Sequence, residues 1–147
     1  LFNTRIKDYS FDWNNVLNFE GETGPYVQYS AARANSILEK NDFYLKLDNI
    51  DISKVSNYKM NIDELSLIKS IYKFEDILLD SAKKYEPSIL ARYITEVAKL
   101  FNKFYNSCPI SNQEDSVKEF RLILTYCTRL LIEIGLGLLG MDTPKKM

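Results

Sequence analysis

A chain of 147 residues, 46% hydrophobic and 27% charged, has the make-up of one ordinary globular domain with enough length to bury a core. Its 19 Lys and Arg are balanced by 20 Asp and Glu, and a net charge of −1 excludes the broad basic footprint of a generic nucleic-acid binder. It holds no histidine, which excludes His-dependent triads, His metal sites and His acid–base chemistry together.

Residues 1–10 form a leading segment with no secretory signal. A chain that opens at Leu1 inside a patterned sequence reads as a domain cut from a longer protein. Phe11 to Asn18 is a short predicted helix with Trp13, Val16 and Leu17 on its inner side. An acidic loop bracketed by glycines follows, Glu20-Gly21-Glu22-Thr23-Gly24, and leads into Pro25. Proline suits the first turn of a helix, where its missing N–H costs nothing, and Thr23 or Gly24 can cap it. The predicted helix runs from about Pro25 to Lys40. It places Tyr26, Tyr29 and Arg33 at i, i+3 and i+7, on one face. Two phenol rings and a guanidinium beside a closely bending loop suit base stacking. The same spacing more often lines a core.

Residues 41–61 are polar and irregular and read as a connection. A helix is predicted from Asn61 or Ile62 to about Tyr85, capped by Asn61, with Leu65, Ile68, Tyr72, Leu78 and Leu79 facing the core. Pro87 opens the next helix, whose stripe is Leu90, Tyr93, Ile94, Val97, Phe101 and Phe104, and Cys108-Pro109 ends it. The last helix is predicted from about Ser116 to Leu139. Its stripe is Phe120, Ile123, Leu124, Cys127, Leu131, Ile134 and Leu138, with Gly140 as the residue that ends it. Leu130, Ile132 and Leu136 fall outside that stripe and offer a docking face. No strand signal competes, so the fold class is all-α, a helical bundle, in a single domain over 1–147.

Little in this pattern can do covalent chemistry. The five glycines make neither a phosphate loop nor a dinucleotide fingerprint, and the carboxylates are scattered. Cys108 and Cys127 lack a CxxC spacing and read as reduced thiols, with no metal site. The run Leu130–Met141 is broken by Glu133 and is too short to span a bilayer. From Ala91 onward eight Lys and Arg face six Asp and Glu, and Arg92, Lys99 and Lys103 form a local basic strip on one helix.

Three stretches, in order, carry a resemblance: FDWNNVLNFEGETGPYVQYSAAR (Phe11 to Arg33), ILARYITEVAKLFNKFYNSCPI (Ile89 to Ile110) and LLGMDTPKKM (Leu138 to Met147). Together they resemble the C-terminal helical domain of arginyl-tRNA synthetases, the DALR-type anticodon-binding domain of class I synthetases. The resemblance implies that the parent is an arginine–tRNA ligase using ATP and Mg in cytoplasmic protein synthesis. It implies no cofactor in this fragment, which lacks the HIGH-type and KMSKS-type motifs. The implied partners are the anticodon loop of tRNA(Arg) and the parent's catalytic domain, with no DNA and no membrane.

By the same resemblance Glu20, Gly21, Thr23 and Gly24 lie against the RNA loop, Tyr26 and Tyr29 stack on or pack against its nucleotides, and Arg33 pairs with phosphate. Tyr105 presents a further ring, and Met147 closes on a base with its side chain and terminal carboxylate. The family's middle anticodon base, a cytosine, is the expected target. The family often has histidine where Ala31 or Ala32 stands; Arg33 is nevertheless in place. Two rivals stand beside this reading: a helical protein-interaction module with buried, scattered tyrosines, and a segment that only docks on the synthetase body.

Overall fold

A computed structural model describes residues 4, 8, 10, 12, 23–45 and 58–147. Apart from Asp12, the predicted helix Phe11–Asn18 lies outside the described residues, as do the loop residues Glu20 and Gly21. So does most of the 41–61 connection, at 46–57.

Among the described residues five α-helices and one short 3₁₀ turn follow in chain order: α1 Gly24–Lys40, the turn Phe43–Leu45, α2 Ile62–Tyr72, α3 Phe74–Lys83, α4 Pro87–Ser107 and α5 Asp115–Leu138. The described residues contain no strand. Local chemistry accounts for most boundaries. Thr23 Oγ1 accepts from the Tyr26 N–H at 3.3 Å, with Pro25 in the first turn of α1. Asn61 and Glu64 form a reciprocal capping box on α2. Gly140, at φ 73°, ends α5 by bonding Gly140 N–H to Gly137 O at 3.0 Å and Met141 N–H to Leu136 O at 2.9 Å. A left-handed residue there is cheap only for glycine.

α4 lies at the centre of the bundle and touches α1, α2, α3 and α5. Its predicted stripe is the one inside: Leu90, Ile94, Val97, Phe101 and Phe104 are buried, and Tyr93 is half-buried with its ring stacked on Phe74. Val27, Ala31 and Ala34 of α1, Leu67 of α2 and Leu124, Leu131, Ile132 and Leu136 of α5 complete the core.

Two predicted faces are corrected. The helix expected over 61–85 is interrupted at Lys73, so α2 and α3 present different faces. Tyr72 is 86% exposed and Leu65 and Leu79 are also exposed, while Leu67 is buried and Ile68 and Leu78 are half-buried. Glu64 is buried against Arg121, and this turns the inner face of α2 away from Leu65. On α5 the buried face runs through Arg121, Leu122, Leu124, Thr125, Thr128, Leu131, Ile132, Gly135 and Leu136. Ile134 and Leu138 point outward, and Ile132 and Leu136, expected on a docking face, belong to the core. The hydroxyls of Thr125 and Thr128 donate to Arg121 O and Leu124 O, each at 2.8 Å. Hydrogen-bonded in this way, they can be buried without an orphaned polar atom.

Gly135 sets the approach of α5 to α4, because a Cβ there would lie 2.5 Å from Ile94 Cγ2. Gly135→Ala is therefore expected to lower stability by about 1–3 kcal/mol through overpacking. Gly137, with nothing within 4 Å of its Cβ position, is the internal control. Gly137→Ala is expected to raise stability by about 0.5–1 kcal/mol, from lost unfolded-chain freedom. Thermal melts of the two variants should move in opposite directions, and Ile94→Ala should reduce the Gly135→Ala penalty.

Candidate nucleic-acid interface

One side of α1, one turn of spacing at a time, meets the C-terminal half of α4. Tyr26, Ser30 and Arg33 share this side, and α4 answers with Asn102 and, one turn on, Tyr105. Asn102 is the hub. Its Nδ2 donates to Tyr26 Oη and Ser30 Oγ, both at 2.9 Å, and its Oδ1 accepts from Arg33 Nη1 at 2.7 Å. Ser30 Oγ passes its own proton to Tyr26 O at 3.0 Å.

Arg33 stands over two rings, with its Cζ 4.8 Å from the Tyr29 centroid and 5.4 Å from that of Tyr105. Its Nη2 donates to Tyr29 Oη at 3.3 Å. No carboxylate pairs with Arg33 among the described residues, so its charge is available to a ligand. Tyr29 and Tyr105 are 40% and 41% exposed. Tyr26 is half-buried, packed against the core along its ring. Tyr29 and Tyr105 are thus grouped around one cation, with Tyr26 joined to it through Asn102, unlike the buried and scattered set that a pure interaction module predicts. A guanidinium held against exposed rings makes a flat, cationic surface of the kind that unpaired bases stack on.

The remaining predicted residues among those described lie away from this cluster, at the start of α1 and in the tail. After α5 the tail runs along another flank of this helix. Met141 Cε sits 2.7 Å from where a Gly24 Cβ would be, Gln28 Nε2 donates to Asp142 O at 2.7 Å, and Asn35 Nδ2 donates to Lys145 O at 3.4 Å. Gly24 is therefore a tail contact as well as the opening of α1. Met147 lies two residues beyond the last of these contacts and is 54% exposed. Thr23 is the helix cap. Glu20 and Gly21 lie outside the described residues.

The basic strip is weaker than the sequence suggests. Lys103 pairs with Asp63 at 2.8 Å. Hydrogen bonds from Lys103 and Ser107 hold the Asp63 carboxyl below its ordinary range. Tyr105 also lies on a different face of α4 from Arg92, Lys99 and Lys103, given a helical step of about 100° per residue.

Three polar residues went unnoticed in the sequence. Asn102 was hidden between Phe101 and Phe104, and its partners stand 69 to 76 positions away. Asn35 and Tyr44 anchor the tail side: Tyr44 Oη donates to Asn35 Oδ1 at 2.9 Å, and Arg129 Cζ lies 6.0 Å from the Tyr44 ring. Burial pushes the Tyr44 phenol up, partly offset by Arg129. Among the described residues no group of three or more potential ligands could hold a metal, and no helix is long and apolar enough to cross a membrane.

Comparison with known proteins matches residues 27–147 to the DALR anticodon binding domain. The arginine–tRNA ligase of Halothermothrix orenii is 44% identical and that of Clostridium beijerinckii 47% identical, each over 100% of this chain and 25% of the relative. The chain spans about a quarter of the length of these curated relatives. Among solved structures, arginyl-tRNA synthetase from Plasmodium falciparum superposes with a TM-score of 0.86 at 30% identity, over 99% of this chain and 25% of that one. The Thermus thermophilus arginyl-tRNA synthetase gives 0.81 at 30% identity, over 96% and 24%.

Proposed function

The chain belongs to the DALR anticodon binding domain family, and from that premise we propose that it is the anticodon-reading domain of a longer arginine–tRNA ligase. Within such a ligase its task is to hold the anticodon loop of tRNA(Arg) while the remaining chain performs ATP- and Mg-dependent arginylation in the cytoplasm. These 147 residues form a single domain, take no cofactor and carry no catalytic group.

The observation that supports this most is Arg33 lying over Tyr29 and Tyr105 on an exposed surface, with no carboxylate partner among the described residues. Loop bases are unpaired and can be turned outward onto rings. Phosphates passing the same place meet the uncompensated guanidinium. Sequence discrimination then rests on hydrogen bonds to one or two bases, the middle anticodon base foremost. Near-neutral net charge fits recognition by shape and stacking rather than by a broad electrostatic field.

The test is the affinity of the 147-residue chain for a fluorescent arginine anticodon stem-loop, compared with the same stem-loop carrying a changed middle base. A preference for the native loop is expected. Equal binding of both loops, or binding of neither, would overturn the reading and leave a docking module.

A further inference from the structure

We propose that Asn102 is a positioning residue that turns the Tyr26 hydroxyl into an outward donor, so that this surface selects an acceptor oxygen of the bound RNA. The proposal deepens the anticodon-reading assignment and rests on it.

The orientation of Asn102 follows from its neighbours. Arg33 can only donate, so the atom of Asn102 that faces it at 2.7 Å must be the carbonyl oxygen. The amide nitrogen is thereby committed to Tyr26 and Ser30, with one proton for each at 2.9 Å. Tyr26 must accept, and its single proton has no acceptor among the described residues. The Ser30 proton is already used, since Ser30 accepts from Asn102 and donates to Tyr26 O.

Tyr29 repeats the logic, because its hydroxyl accepts from Arg33 Nη2 at 3.3 Å and keeps its own proton free among the described residues. Two phenolic O–H groups and a guanidinium therefore face the same region, and all three can donate. A partner offering oxygens satisfies such a surface, whereas an exocyclic amino group brings donor against donor. The oxygen can belong to a base carbonyl or to a phosphate, both present in an RNA loop.

Asn102→Asp isolates the effect. A carboxylate keeps the shape and still receives Arg33, but it only accepts, so Tyr26 and Ser30 must turn their protons inward. Tyr26→Phe deletes the same proton directly and is expected to weaken stem-loop binding about tenfold. Asn102→Asp is expected to weaken it at least as much in the native background, and less than about threefold further in the Tyr26→Phe background. The added negative charge alone would cost the same in both backgrounds, so this non-additivity separates polarity from charge.

Urea midpoints of all four proteins control for folding. Full additivity, or native affinity in a folded Tyr26→Phe variant, overturns the proposal. Failure of the native chain to prefer its own loop instead overturns the anticodon reading itself. Stem-loops with methylphosphonate linkages, or with single base carbonyls deleted, identify the oxygen: sensitivity to Tyr26→Phe vanishes with the group that the hydroxyl holds. Sensitivity that survives every such change also overturns the proposal.

Discussion

Glu64→Ala is expected to lower the unfolding free energy by about 3–5 kcal/mol, a large share of the roughly 5–15 kcal/mol that holds a domain together. Glu64 is fully buried, and every hydrogen bond of its carboxylate among the described residues comes from a donor. Arg121 Nε lies 2.7 Å from Oε1, Tyr58 Oη 2.8 and 3.0 Å from the two carboxylate oxygens, and Asn61 N–H 2.8 Å from Oε2. Arg121, 7% exposed, also donates to Tyr58 Oη at 3.0 Å and to Pro109 O. Burial opposes its charge, but the hydrogen bonds to Glu64 and Tyr58 outweigh that and raise its pKa.

This one network ties the start of α2, the segment after α4 and the first half of α5. Removing the carboxylate leaves a buried guanidinium with no counter-charge and strands the Asn61 N–H. Glu64→Gln keeps the shape but brings a donor against donors, with an expected loss of about 1–3 kcal/mol. The pair Glu64→Leu with Arg121→Met should lose less than either single change, because no charge is left alone. Urea unfolding followed by circular dichroism at 222 nm measures all five variants. A Glu64→Ala variant within about 1 kcal/mol of the native chain would show that the network is not a structural clamp.

Loss of the Tyr29 and Tyr105 rings is expected to cut stem-loop affinity by about 1–3 kcal/mol each, roughly 5- to 150-fold. Both rings are exposed by about two-fifths, so Tyr29→Ala and Tyr105→Ala should leave the unfolding midpoint nearly unchanged. Tyr29→Phe keeps the stacking ring but loses the outward hydroxyl, and should fall between the native chain and Tyr29→Ala. Arg33→Lys keeps the charge but loses the plane that lies over both rings, and should fall between the native chain and Arg33→Ala. Fluorescence anisotropy with the native stem-loop supplies the readout. Native affinity in folded alanine variants would remove the rings from the interface.

The helical bundle could be read from the sequence because its cues are local. Apolar residues repeat at helical spacing along α4, Pro25 and Pro87 open helices, Asn61 caps one, and Gly140 closes another. Such features act within a few residues, so a linear pattern records them. Tyr26, Tyr29 and Arg33 were legible as candidates from such local spacing, and Tyr105 through the family resemblance.

Tertiary structure decided what those residues do together. Glu64 and Arg121 look like surface charges until each is found against the other, and their burial rotates the inner face of α2 away from Leu65. Thr125 and Thr128 break the apolar stripe of α5 yet lie inside it, because the helix backbone takes their protons. Asn102 gains its meaning only when α1 delivers Tyr26, Ser30 and Arg33 to it from about seventy residues away. A periodic sequence specifies which side of a helix is greasy. Which polar groups find partners, and so can leave water, is settled only when the helices meet.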